Sequence, residues 1–321
     1  MPQLYLLNSL ARQVGRVPAL REALWNLEAA VLEHLWRAAA AQDPDTASDL
    51  GCRVGRRLGP RSHKHQLGFA NLRTAFPERL PHQLEPIARA IWGAIGRTLA
   101  EYPLLPRICD PREDRIRLLD LGGLAELQRS GRPGIFVSAH LANWNLPAAL
   151  ANRAGLPLTG IYRRQSNPLI EQLMEEARAA LGCRFLEVGE ASRPLLRELQ
   201  QGRSVGLLMD QRYDRGDKVP FFGVPATTTL IPARLALRLA LPLIPVRVQR
   251  LEGARFTVTV YRPVRPEPGL DEAAAARRLT AKVNDLFAGW IKANPEQWLC
   301  AKRRWPRVRT RTPMGGKIST T

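Results

Sequence analysis

"GIFVSAHLANWNLPAALANRAGLPLTGIYR" (134–163) carries two rhythms in one short span. Residues 134–139 and 158–163 are apolar runs of strand length. Between them, 145–154 is rich in Leu and Ala, and it opens on Asn145 with Pro147 in the first turn, a good helix start. A strand, a helix and a second strand make a unit whose strands run parallel. The same alternation continues. "RFLEV" (184–188), "SVGLLM" (204–209) and "LIPVRV" (243–248) read as buried strands, and helices fall near 168–181, 191–200 and 227–240. The expected fold is α/β, with helices flanking a largely parallel sheet. "RFTVTVY" (255–261) alternates cleanly and predicts an antiparallel edge strand. Residues 271–295 predict a long terminal helix, with Asp271 as cap and Pro295 as stop.

The first part of the chain has a different texture. Leu20, Leu24, Leu27, Val31 and Leu35 recur at helical spacing, with Trp25, Leu32 and Trp36 widening the stripe. One reading packs this stripe on the core. The other lays it on a bilayer with the tryptophans at headgroup depth. A second helix is expected over 83–101. These features divide the chain into a helical N-terminal region (1–110), an α/β core (111–305) and a loose basic tail (306–321).

The chain has 48 Lys and Arg against 29 Asp and Glu, a net charge of +19. Such a surplus predicts anionic partners. Nucleic acid is disfavoured, because no recognition motif or aromatic stacking surface accompanies the charge. The four cysteines are scattered without metal or disulfide spacing, so reduced thiols in the cytosol are expected. No run of apolar residues is long enough to span a membrane. No P-loop or dinucleotide fingerprint is present, and neither a metal nor a cofactor is expected. His34, His63, His65 and His82 read as surface or packing residues.

In open α/β sheets, ligands bind beyond the carboxyl ends of the strands. His140 follows the first of the strands above, Arg163 and Arg164 follow the second, and Asp210 closes "SVGLLMD". Three reactive sites at strand ends point to an active site. Residues five apart on one helix differ by about 140°. His140 and Asn145 therefore meet only if His140 lies in the turn and residue 145 begins the helix. Asn145, or Asn143 in its place, also reads simply as a helix cap.

Taken in order, "FANLRTAFPE" (69–78), "HLANW" (140–144), "YRRQSNPLI" (162–170), Arg178 in "EEARAALG", "LLMDQR" (207–212), "VPFFGVPATTT" (219–229) and "PEQWLCAKRRW" (295–305) resemble the bacterial lipid A biosynthesis acyltransferases. The resemblance implies a fold similar to glycerol-phosphate acyltransferases. It implies transfer of a fatty acyl chain from acyl carrier protein to a hydroxyl of a lipid A precursor, at the cytoplasmic face of the inner membrane. The family hallmark is His, four residues, then Asp or Glu. His140 matches the histidine, Arg178 and Asp210 match positions tied to activity, Arg163 matches the arginine of the family's "YR…NP" segment, and Asn145 stands where the family has its acid.

A histidine that takes a hydroxyl proton becomes positive, and a carboxylate steadies that charge. In a serine protease, Asp-to-Asn at this role costs about 10⁴-fold. Asp210 is the best substitute acid, with Glu187 and Glu190 weaker. Two readings follow: an enzyme that works with Asn145, and a relative that binds lipid or carrier protein without turnover. Arg163, Arg164 and Arg178 are expected to grip phosphate or the developing oxyanion. "KRRWPRVRTR" (302–311) reads either as an anionic-lipid anchor or as a solvated tail. "VPFFG" reads as a border of the acyl channel or as core.

Overall fold

The computed structural model describes residues 18–187 and 193–306. Five helices come first: α1 (Pro18–Ala40), α2 (Pro44–Leu58), α3 (Lys64–Ala75), α4 (Pro81–Glu101) and the short α5 (Leu105–Ile108). Then strands and helices alternate: β1 (Ile116–Asp120), α6 (Gly123–Ser130), β2 (Ile135–Ser138), α7 (Leu146–Arg153), β3 (Leu158–Tyr162), α8 (Pro168–Ala179), β4 (Arg184–Glu187), α9 (Arg193–Gln200) and β5 (Ser204–Leu208). A hairpin, β6 (Asp217–Phe221) and β7 (Val224–Thr228), precedes α10 (Ile231–Leu239), β8 (Leu243–Arg250), β9 (Phe256–Val260) and α11 (Glu272–Ala293). The fold is a mostly parallel α/β sheet flanked by helices, behind a helical N-terminal region.

The sheet has seven strands in the order β1-β9-β8-β2-β5-β3-β4. Every neighbouring pair is parallel except β8 and β9. The antiparallel pairing of 255–261 is as expected, but its edge position is not: β1 pairs alongside β9 and covers it. Asp271 caps α11 by accepting from the Ala274 N–H, and the helix ends at Ala293, two residues before Pro295. The β6–β7 hairpin closes on Phe222 and Gly223, both at positive φ, the conformation of a two-residue type I′ turn.

The helical region shares its core with the sheet. Leu72, Phe76, Leu84 and Ile91 pack in one cluster with Ile135, Val137 and Val205. Helices α2 and α4 meet at almost backbone distance through Gly51, Gly55, Gly93 and Gly96. A Cβ on Gly55 would stand 2.2 Å from the Trp92 carbonyl oxygen.

The core-packed reading of α1 holds for part of its stripe: Leu32 and Trp36 are buried with Ala29 and Ala39, whereas Leu20, Leu27, Val31 and Leu35 are exposed. Trp36 is not at any interface: its ring stacks on Tyr102 and its N–H donates to the Leu99 carbonyl. The basic run at 302–311 is divided. Arg304 is 1% exposed, with its guanidinium donating to the Thr227 carbonyl and the Thr228 hydroxyl, so 302–306 is anchored. The rest of that run, and all but the first residue of the tail, lie outside the described residues, as does Glu190.

Candidate active site

The register of the sheet places the site. Ser138 at the end of β2 pairs with Leu208 at the end of β5. Two residues further along each strand, His140 and Asp210 therefore face each other. His140 Nδ1 donates to Asp210 Oδ1 at 2.7 Å, and the indole N–H of Trp298 donates to Asp210 Oδ2 at 2.9 Å. An ionised carboxylate only accepts, so the imidazole proton sits on Nδ1 and Nε2 carries the lone pair. The Gln211 amide donates to Nε2 at 3.1 Å. The Trp144 ring meets the imidazole edge-on, with centroids 5.1 Å apart.

Both groups are deeply buried. Burial pushes the His140 imidazole below its usual range, and the Asp210 carboxylate opposes that. Burial acts to raise Asp210, but the imidazole and the two donated hydrogen bonds outweigh it and hold the carboxyl below the usual range. The resulting pair is a neutral imidazole oriented by a carboxylate.

The turn that aims His140 is strained and held on both sides. Ala142 has φ of 47°, in the left-handed region that costs a non-glycine residue about 1 kcal/mol. Its N–H donates to the Gln297 carbonyl at 3.0 Å, and its carbonyl accepts from the Thr98 hydroxyl at 3.0 Å. The Leu299 N–H reaches the His140 carbonyl at 2.9 Å. The segment that supplies Trp298 thus also clamps the backbone of the histidine.

Asn145 immediately precedes α7 but does not cap it through its side chain. It is 7% exposed and belongs to a directional chain of hydrogen bonds. Arg250 forms a bidentate pair with Glu101, and Glu101 Oε2 accepts from Asn143 Nδ2 at 2.9 Å. Asn143 must therefore turn its oxygen to Asn145, whose Nδ2 donates to it at 3.0 Å. The oxygen of Asn145 then faces the Tyr102 hydroxyl at 3.4 Å. Burial pushes that phenol up to about 12, so it remains a donor. Among the described residues no hydrogen bond links Asn145 to His140.

His140 and Asn145 border an apolar cleft of about 360 Å³ beneath the strand ends. Its lining includes Phe136 on β2, Gly206 on β5, Gly160 on β3 and Phe185 on β4. These four fall in one row across the sheet, because Phe136 pairs with Gly206, Gly206 with Gly160, and Gly160 with Phe185. The two central positions lack side chains; the Phe185 ring lies over Gly160, and Gly206 is left as the open part of the floor. Phe221 and Phe222 of "VPFFG" do not line this cleft. They pack with Trp298 and Trp305, so that segment is core.

The three arginines part company. Arg163 lines the cleft and is exposed. Arg164 leans toward Glu187 at 3.7 Å on the surface. Arg178 is buried against Glu171 and lies over the Tyr162 ring at 4.2 Å. Glu171 also accepts from the Gln165 N–H at 2.6 Å, so the Arg178–Glu171 pair secures the loop that carries Arg163. Trp298, Gln211 and the Glu101–Arg250 pair were not among the residues expected from sequence. Gln211 stood beside an expected residue in "LLMDQR". The others join the site only through long-range packing.

A family model of bacterial lipid A biosynthesis acyltransferases matches residues 20–307. The chain belongs to this family. It is 26% identical over 271 residues to the lipid A biosynthesis myristoyltransferase of Escherichia coli K12, with 81% of this chain and 80% of that protein covered. It is 27% identical over 270 residues to the phosphatidylinositol mannoside acyltransferase of Mycobacterium tuberculosis H37Rv, with 81% of each covered. A solved 1-acyl-sn-glycerophosphate acyltransferase from Thermotoga maritima overlays with a TM-score of 0.36 at 14% identity, over 78% of this chain and 100% of that one. Among the described residues, no helix is long and apolar enough to cross a membrane. An acyltransferase family and an apolar cleft beside a histidine agree with one another.

Proposed function

We propose that this chain is an O-acyltransferase that moves a fatty acyl group from the thioester of an acyl carrier protein to a hydroxyl of a lipid A precursor or related glycolipid. The observation that carries the reading is the His140–Asp210 pair at the rim of an apolar cleft. Asp210 supplies the charge that Asn145 lacks, which favours an active enzyme over an impaired one.

In this mechanism the acceptor hydroxyl displaces the Gln211 amide from His140 Nε2. The imidazole takes the hydroxyl proton as the oxygen attacks the thioester carbonyl. Asp210 stabilises the imidazolium and keeps the ring turned. Collapse of the tetrahedral intermediate breaks the carbon–sulfur bond, and the departing sulfur takes the proton back from Nε2. The acyl chain lies over Gly206, each buried methylene adding about 0.8 kcal/mol to binding. The exposed leucines of α1 and the positive surplus favour work at an anionic membrane surface, and we place it at the cytoplasmic face of the inner membrane.

The test is acyl transfer from acyl carrier protein to a lipid A precursor, comparing wild type with His140→Ala. Turnover lost in the variant supports the reading. A wild-type protein that binds both substrates and transfers nothing would establish the non-catalytic alternative instead.

A further inference from the structure

Cations around the cleft are mostly spoken for. Arg178 is paired with Glu171, Arg212 with Asp214 and Arg304 with threonine oxygens. Arg163 and Lys302 differ. Both line the cleft with His140, and among the described residues neither side chain has an ion pair or hydrogen bond.

Lys302 is held in place despite its free ammonium. Its carbonyl accepts from Asn71 Nδ2 at 2.6 Å, and the same amide oxygen accepts from the Arg304 N–H at 2.9 Å. Three residues upstream, Leu299 is bonded to the His140 backbone. The ammonium is half-buried. Burial and the nearby charge of Arg163 pull it below the usual lysine range. Its own charge in turn acts on His140 and on Lys64, which burial and Lys302 bring down to about 8. Two cations without an ion pair line one cleft, one of them partly desolvated, and an anion entering it relieves their repulsion.

We infer that Lys302 and Arg163 form an anion cradle at the mouth of the His140 cleft, which takes a phosphate ester of one of the two substrates. The geometry suits that ligand: a guanidinium offers a two-pronged contact and an ammonium a point charge. The partner is either the phosphodiester of a donor's thioester-bearing arm or a phosphate on the acceptor headgroup. Assignment to a substrate rests on the acyl-transfer reading; anion binding itself does not.

Two measurements test the cradle. In the first, lysines are ¹³C-methylated reductively, the Lys302 signal is assigned by its loss in Lys302→Met, and inorganic pyrophosphate is titrated in. The signal moves in wild type, and the response weakens in Arg163→Gln. A Lys302 signal that ignores pyrophosphate overturns the cradle.

The second compares acyl-phosphopantetheine with acyl-pantetheine as donor, and phosphorylated with dephosphorylated glycolipid as acceptor. Lys302→Met raises the KM of the phosphorylated member of one pair about 10- to 100-fold, while the KM of its phosphate-free counterpart holds; loss of the charge that acts on His140 changes kcat equally for both members. The affected pair identifies the source. An equal rise in KM with and without phosphate overturns the proposal and leaves acyl transfer standing. Absence of His140-dependent transfer with every pair overturns the acyl-transfer reading, and the pyrophosphate titration then decides the cradle alone.

Discussion

Restoring the family acid by Asn145→Asp is expected to harm this protein without activating it. The hydrogen-bond chain runs one way, from Arg250 through Glu101 and Asn143 to Asn145. Asn143 must donate to Glu101, so it presents its oxygen to residue 145, which must donate in turn. A carboxylate there sets oxygen against oxygen in a site only 7% exposed. An uncompensated buried charge of this kind costs about 3 kcal/mol, or roughly 4 to 5 °C of Tm in a chain of this size.

The penalty has a pH signature. The new carboxyl has its folded pKa raised above the unfolded value of about 3.9, by burial and by its acceptor neighbours. Protonated, it donates to Asn143 as the amide did. The Tm deficit relative to wild type is therefore full at pH 8 and shrinks as pH falls through the raised pKa. Differential scanning calorimetry at pH 5 and pH 8, beside acyl-transfer rates, checks both halves. A variant as stable as wild type at pH 8, or one that transfers 10-fold faster, would refute the directional-network argument.

Asp210→Asn is expected to lower kcat/KM by about 10³- to 10⁴-fold. Its residual activity should keep an acid limb at lower pH than wild type, because the carboxylate that raised the His140 pKa against burial is gone; a pH–rate profile reads this. Gly206→Leu fits beside Leu158, where a Cβ meets ordinary contact at 3.7 Å, but fills the cleft floor. It is expected to shift preference toward shorter acyl donors with little change in Tm, and unchanged chain selectivity would remove the floor from the acyl path. Gly55→Ala drives a methyl into the Trp92 carbonyl and is expected to cost about 3 kcal/mol by urea denaturation.

The sheet and its chemistry were legible where local pattern and burial agree. The β2–α7–β3 unit shows its apolar runs plainly, and the pairing of His140 with Asp210 follows once β2 and β5 are neighbours. β1 was missed because "IRLLD" lacks the polar–apolar alternation of a half-buried strand and is largely exposed in the structure. The β6–β7 hairpin was missed because Pro220 and Pro225 argue against strands, and only a two-stranded ribbon tolerates them opposite each other. The stripe on α1 was right for Leu32 and Trp36 but not for its other leucines, because leucine spacing gives a helix face but not what covers it. Trp298 and Glu101 join the site through contacts spanning 88 and 42 residues, which no local window contains.

The clamp on His140 has a consequence for how the protein is made. Its partner, Leu299, lies late in the sequence, and Trp298 and Lys302 arrive with it. Strands β2, β3 and β5 emerge from the ribosome far earlier, with Thr98 and Asp210, and the histidine turn lacks its second clamp while synthesis continues. A nascent chain therefore holds the parts of a base without the geometry of one. The second half of the clamp forms only when the segment at 297–299 docks, and a chain cut short before residue 297 is expected to lack it.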